Sequence, residues 1–195
     1  YTPVSTVAAT IGGTGFATFS SEYPLDFSAT TTKAYTASLT GDNTVLLSPV
    51  TAVPANTGIL LKGATEDIPV KAGFVSAPAT NLLKASTADN IAASVEGTYH
   101  YVLANGSNGV GFYNLASDKN IGVGKAYLET TTALAAAATS RAAWVFADDE
   151  TTSIKAMDNG QWTIDNGEFY DLQGRRVAQP AKGLYIVNGK KVVIK

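Results

Sequence analysis

Short runs of β-forming residues, each ended within about ten positions by Gly, Asn, Asp or Pro, are the feature that most constrains this chain. Val4 to Ile11 stops at Gly12-Gly13, and Phe16-Ala17-Thr18-Phe19 follows. Lys33 to Leu39 and Thr44 to Val50 flank Gly41-Asp42-Asn43, residue types that tolerate the positive φ of a hairpin turn. Thr57 to Leu61 begins after Pro54-Ala55-Asn56, and Asp67 to Val70 holds Pro69, which predicts an edge position. Residues 72–98 are the least regular, with one short strand expected at Asn81 to Lys84. Thr98 to Ala104 and Gly109 to Leu115 read as a hairpin around Asn105 to Asn108, and Lys125 to Leu128 and Ala142 to Ala147 as further strands. Only Thr132 to Ser140 has helix-favouring composition, and a helical turn and a loop both remain open there. The reading is an all-β protein.

Asp148-Asp149-Glu150-Thr151-Thr152 is acidic and lacks apolar anchors, so it is expected to be exposed. It divides a larger N-terminal β-sandwich or barrel, residues 1–147, from a small C-terminal β unit of hairpins, residues 152–195, with 148–151 as linker. Beyond it, turn pairs become dense: Asn159-Gly160, Asn166-Gly167, Gln173-Gly174 and Asn188-Gly189. Strands are expected between them at Gln161 to Ile164, Glu168 to Asp171, Arg175 to Val177, Leu184 to Val187 and Lys190 to Ile194. The last two flank Asn188-Gly189, the strongest short-range hairpin signal. Leu184, Ile186, Val192 and Ile194 are expected to face the small core, with Tyr185 at its margin. Lys190, Lys191 and Lys195 beside Val192-Val193-Ile194 suggest an edge strand kept soluble by charge.

Composition excludes several functions. The 195 residues carry 14 basic and 16 acidic side chains, a net charge of -2, so no basic face for nucleic acid is expected. The absence of Cys removes disulfides and thiolate sites, and a single His removes sites built from several. No segment approaches the ~18 consecutive apolar residues of a membrane helix, so no direct membrane insertion is expected. The chain opens at Tyr1 rather than Met, which predicts a processed or excised piece whose leader has been removed.

Candidate chemistry is sparse. His100, in an alternating strand between Tyr99 and Tyr101, reads as a sheet residue rather than a general base, and no Gly-x-Ser-x-Gly elbow is present. The acids lie mostly in turns, without the facing pair that glycoside hydrolysis needs. Gly12-Gly13-Thr14-Gly15 lacks the Lys and the helix of a phosphate loop, so a turn or bulge is expected. Gly41-Asp42-Asn43 and Ser117-Asp118-Lys119-Asn120 offer oxygen ligands to calcium, but turn chemistry accounts for both. Catalytic residues, metal sites and cofactors are therefore expected to be none. Tyr99, Tyr101, Trp144 and Trp162 are the candidates for stacking on a glycan, with Tyr99 and Tyr101 on one face of a strand.

The C-terminal stretch carries Phe169-Tyr170-Asp171-Leu172-Gln173-Gly174-Arg175-Arg176-Val177, then Lys182-Gly183-Leu184-Tyr185-Ile186-Val187, then Lys190-Lys191-Val192-Val193-Ile194-Lys195. This order of a DLxGR turn, a GxYxV strand and a terminal basic, β-branched strand resembles the sorting domains of exported Bacteroidetes proteins read by the type IX secretion machinery. Residues 1–147 resemble a module that precedes such tails, through Ile11 to Phe19, Val53 to Gly63, Gly109 to Tyr113 and Gly124 to Leu128. The resemblance implies a secreted or outer-surface protein, with Gly183, Tyr185, Lys190, Lys191 and Lys195 in the sorting signal and the secretion machinery as a partner. The expected function is a non-catalytic adhesion or ligand-binding module for a glycan or a host or matrix surface. The alternatives are a secreted glycoside hydrolase or its accessory module, and a structural spacer.

Overall fold

The computed structural model describes residues 3–87, 90–134, 141–149, 155–157, 169–171, 175–177, 182–187 and 190–194. The protein is all-β and divides into two compact units, Tyr1–Ala147 and Asp148–Lys195.

The first unit begins with β1 (Thr6–Ala9), β2 (Phe16–Phe19), β3 (Leu25–Asp26), β4 (Lys33–Leu39) and β5 (Val45–Val50). Next come β6 (Ala52–Val53), β7 (Ile59–Lys62), β8 (Glu66–Pro69) and β9 (Leu83–Ala85). It finishes with β10 (Tyr99–Gly106), β11 (Gly109–Asn114), β12 (Ala126–Thr130) and β13 (Trp144–Phe146). A five-stranded sheet has the order β13-β5-β4-β7-β2, and a four-stranded sheet the order β11-β10-β12-β9. Two ribbons, β1-β8 and β3-β6, complete the unit.

The five-stranded sheet is covered on both faces. Tyr35, Ala37, Val45, Leu47 and Leu60 share one core with Leu83, Tyr101, Phe112 and Leu128 of the four-stranded sheet. On the opposite face, Phe19, Ala34, Ile59 and Leu61 pack with Ala9, Leu25, Val53 and Ile68 of the ribbons. This is why Ile59-Leu60-Leu61 is an unbroken apolar run: a strand buried on both sides has no polar face to alternate with. Each fully buried Leu or Ile there contributes about 1.5–3 kcal/mol. Ile91, Val102 and Leu115, with Ile121 and Tyr127 against them, form a third, smaller cluster.

Asn81 stitches the layers together. Its Oδ1 accepts the N–H of Ala37 and of Leu83, each at 3.1 Å, and its Nδ2 donates to the Gly58 carbonyl at 2.7 Å. One amide thereby joins β4, the start of β7 and β9.

The β4–β5 hairpin forms as the turn residues imply. Leu39 pairs with Val45, Asn43 has φ 60°, and the Asp42 carboxylate accepts the Thr40 hydroxyl. The β10–β11 hairpin is longer than the sequence suggests. Gly106 pairs with Gly109, so Asn105 and Gly106 continue the strand and only Ser107-Asn108 connects. The Tyr113 hydroxyl donates to the Gly109 carbonyl at 2.6 Å and braces that end. The strand expected at Asn81 to Lys84 begins at Leu83, because Asn81 is committed to cross-linking. β8, with Pro69, pairs along its length with β1 alone. Most of the helix-favouring window, residues 135–140, lies outside the described residues.

At the unit boundary the expected exposed linker is corrected in part. Ala147–Asp149 form a 3-10 turn in which Asp148 is half-buried, because the turn continues directly from β13. Residues 150–154 lie outside the described residues.

The second unit contains β14 (Lys155–Met157), β15 (Phe169–Tyr170), β16 (Arg176–Val177), β17 (Gly183–Val187) and β18 (Lys190–Ile194), in the order β14-β18-β17-β15-β16. β17 and β18 pair antiparallel from Gly183–Ile194 to Val187–Lys190, the register of a hairpin with two connecting residues. The edge position expected for Lys190 to Ile194 is corrected: β18 is an inner strand, with β14 parallel to it on its other side. Such pairing across a long connection leaves no local turn signature. Tyr185, expected at the margin, is half-buried like Leu184 and Ile186, and its ring meets Phe169 edge-on at 6.1 Å. The strand expected at Gln161 to Ile164 and the turn pairs at 159–160, 166–167, 173–174 and 188–189 lie outside the described residues.

Candidate functional site

The aromatic platform expected on β10 does not form. Tyr99 and Tyr101 do share a face, but it is the face turned to the central core. Tyr101 is 0% exposed, and its hydroxyl accepts the Leu134 N–H at 2.7 Å. Tyr99 is half-buried against the same cluster. Trp144 is also half-buried, with Phe16, Phe112 and Phe146 at ring distances of 5.4, 5.8 and 5.6 Å. Tyr101 is therefore removed from the ligand-binding candidates, because alternation places it inward, and Trp144 packs in an aromatic cluster rather than forming an open ledge. Trp162 lies outside the described residues.

His100 points away from that core. Its Nδ1 lies 2.8 Å from the Ala92 carbonyl, its Nε2 lies 3.2 Å from Glu129 Oε2, and its ring meets Tyr127 edge-on at 5.3 Å. These contacts hold the 91–95 segment against the four-stranded sheet. Both loop carboxylates considered for calcium serve the backbone. Asp42 accepts the Thr44 N–H at 3.4 Å, and Asp118 accepts the Ala93 N–H at 2.8 Å. The Thr40 hydroxyl first, then the Thr44 N–H, lower the Asp42 pKa below the usual carboxylate range.

A different place in the first unit has the shape of a site. The ladder between β10 and β12 ends at the Tyr101–Leu128 pair, and the two strands are no longer paired beyond it. A cleft of about 450 Å³ lies here, lined by Val102 and Leu103 of β10, Ala126 of β12, and Phe16, Ala17 and Thr18 of β2. Thr10, Gly12, Lys119, Ile121 and Lys125 complete it. Gly12 belongs to the glycine-rich segment, which closes a tight turn through a Gly15 N–H to Gly12 carbonyl bond of 3.0 Å. Gly15 has φ 75°, a conformation that favours glycine. The segment is thus a turn that sets the start of β2.

The cleft walls are fixed by backbone bonds. Ser20, just past β2, donates its N–H to the Gly124 carbonyl and its hydroxyl to the Lys125 carbonyl, both at 2.9 Å. The Lys125 carbonyl also accepts the Ser86 N–H at 2.8 Å. Lys119 and Ile91 exchange two backbone bonds of 2.9 Å. Thr18 is 8% exposed, and among the described residues its hydroxyl has no hydrogen-bond partner. The oxygen itself is still reached by solvent, so water serves it in the free protein and a ligand group would take the place of that water.

Sequence reasoning missed Phe16, Thr18, Lys119 and Lys125 as site residues. One signal was available: Thr18 sits two residues from Phe16, on the same face of a short strand, as a polar residue between Ala17 and Phe19.

In the second unit, of the residues assigned to a sorting signal, Gly183 and Tyr185 lie on β17, and Lys190 and Lys191 on β18. Lys195 lies outside the described residues. Compared with protein-family models, curated proteins and solved structures, the chain matches none of them.

Proposed function

We propose that this chain is a non-catalytic, exported β module that binds a glycan at the cell surface, with a C-terminal unit that serves its secretion. The observation that carries the binding reading is the cleft where β10 and β12 separate. Its volume of about 450 Å³ falls within the roughly 300–1,000 Å³ range of small-molecule sites. Its lining combines apolar side chains from Phe16, Leu103 and Ile121 with the hydroxyls of Thr10 and Thr18. A sugar ring offers the complementary pair, an apolar face and hydroxyl groups. The secretion part rests on the resemblance of the Asp171 to Arg175 and Gly183 to Lys195 segments to type IX sorting domains.

The test is a glycan and matrix-protein array with the purified full chain, repeated with Thr18→Trp to fill the cleft. Binding to glycans that the Trp variant loses, while its far-ultraviolet spectrum stays unchanged, supports the reading. Binding to no glycan, or glycan binding that the filled cleft leaves intact, overturns it.

A further inference from the structure

Resting on the glycan-binding reading of this cleft, we propose that its ligand is an acidic saccharide, a uronate-bearing glycan whose carboxylate is met by Lys119 and Lys125. The chain as a whole has a net charge of -2, yet the described lining of the cleft contains two lysines and no acidic side chain. Among the described residues neither ammonium group has an ion pair. The nearest acid in sequence to Lys119, Asp118, is turned to the Ala93 N–H.

The backbones beneath both lysines are held. Lys119 is tied to Ile91 by two bonds, and the Lys125 carbonyl accepts from both Ser20 and Ser86. The two side chains are exposed and extend from backbone held by these hydrogen bonds. Preorganised attachment of this kind lowers the ordering cost of binding. Thr18, beside Thr10 in the lining, supplies the second polar element, a hydroxyl without a protein partner among the described residues. A uronate ring matches the set: its carboxylate takes the two ammonium groups, a ring hydroxyl takes Thr18, and an apolar face lies along Phe16 and Ile121. A neutral sugar can accept hydrogen bonds from the two ammonium groups but offers them no charge to pair with.

The experiment is calorimetric titration of the full chain with tetramers of galacturonate, glucuronate and mannuronate, and with the methyl ester of each. The esters keep ring shape and hydroxyls but lose the charge. Binding of at least one acid form, weakened at least tenfold by esterification and further weakened by rising salt, supports the proposal. Lys119→Gln with Lys125→Gln should then weaken that ligand by roughly tenfold or more, and Thr18→Val by about fivefold. The lysines are exposed, so an unchanged thermal midpoint confirms that the double variant is folded. Equal binding of acid and ester overturns the acidic ligand while leaving a glycan site in place. Acid binding that the lysine pair does not affect also overturns it. Failure of all three acids overturns it as well, and the neutral glycans of the array then decide separately whether the cleft binds sugars.

Discussion

Asp171 and Arg175 close one loop through three contacts. The Arg175 N–H donates to Asp171 Oδ1 at 2.9 Å, Arg175 Nε reaches Asp171 Oδ2 at 2.7 Å, and the Asp171 N–H donates to the Arg175 carbonyl at 2.9 Å. These are the first and last residues of the DLxGR pattern, and they sit where β15 turns into β16. The two residue types are therefore explained by turn closure alone. Asp171→Ala removes two of the three contacts and should destabilise the second unit by up to about 1 kcal/mol, since Arg175 is largely exposed. Faster hydrogen exchange at Tyr170 and Val177 reports it, with β4 and β7 unaffected. Asp171→Asn keeps an acceptor for the Arg175 N–H and should lie between the two.

Glycine 58 marks a close approach between β7 and β9. A Cβ there would lie 2.7 Å from the Lys84 carbonyl carbon and 2.8 Å from the Leu83 carbonyl oxygen, both backbone atoms. Gly58→Ala should cost about 1–3 kcal/mol, the range for forced overpacking. Gly41→Ala, with nothing within 4 Å, should change stability little. Urea denaturation of the two variants makes the comparison.

Glu66 makes stability depend on acid. The backbone N–H of Thr32, opposed by some desolvation and then helped by the N–H and hydroxyl of Thr31, holds its pKa below the ordinary carboxylate value. A carboxylate depressed in the folded state stabilises the fold above its unfolded pKa of about 4.3, and that contribution disappears as pH falls through the lower folded value. Glu66→Gln should therefore be less stable than wild type at pH 7, with the gap narrowing below about pH 4. A gap independent of pH would contradict the assignment.

His100→Ala removes the ring's contacts with Ala92 and Glu129 but leaves the cleft lining intact. It should cost ~1 kcal/mol and leave glycan affinity unchanged. Chemical denaturation and the same titration check both halves. Loss of a measured activity with the fold intact would contradict the non-catalytic reading.

Deleting residues 183–195 removes β17 and β18, two of the three inner strands of the second sheet. The second unit should unfold while residues 1–147 keep their thermal transition. In a Bacteroidetes host with a type IX system, the truncated chain should fail to reach the surface. Normal delivery would refute the sorting role.

Local chemistry made much of the fold legible. Asn43 permits the β4–β5 turn, and the alternation from Tyr99 to Leu103 sorts that strand into two faces. The same alternation carries no label saying which face is wet. The platform on Tyr99 and Tyr101 fails for that reason: the five-stranded sheet lies across it. Lys190 and Lys191 read as an edge for a related reason, since β14 returns parallel to β18 and no nearby turn announces it.

Residue type and short-range geometry account for the all-β class, the β4–β5 and β17–β18 hairpins and the lack of cysteine chemistry. The cleft, by contrast, arises from long-range packing. Thr10, Phe16 and Thr18 come from one end of the first unit, and Val102, Lys119 and Lys125 from another. They meet because two sheets share a core and the β10–β12 ladder stops at Tyr101. Where a ladder stops depends on how the sheets twist and pack together, a property no single segment carries.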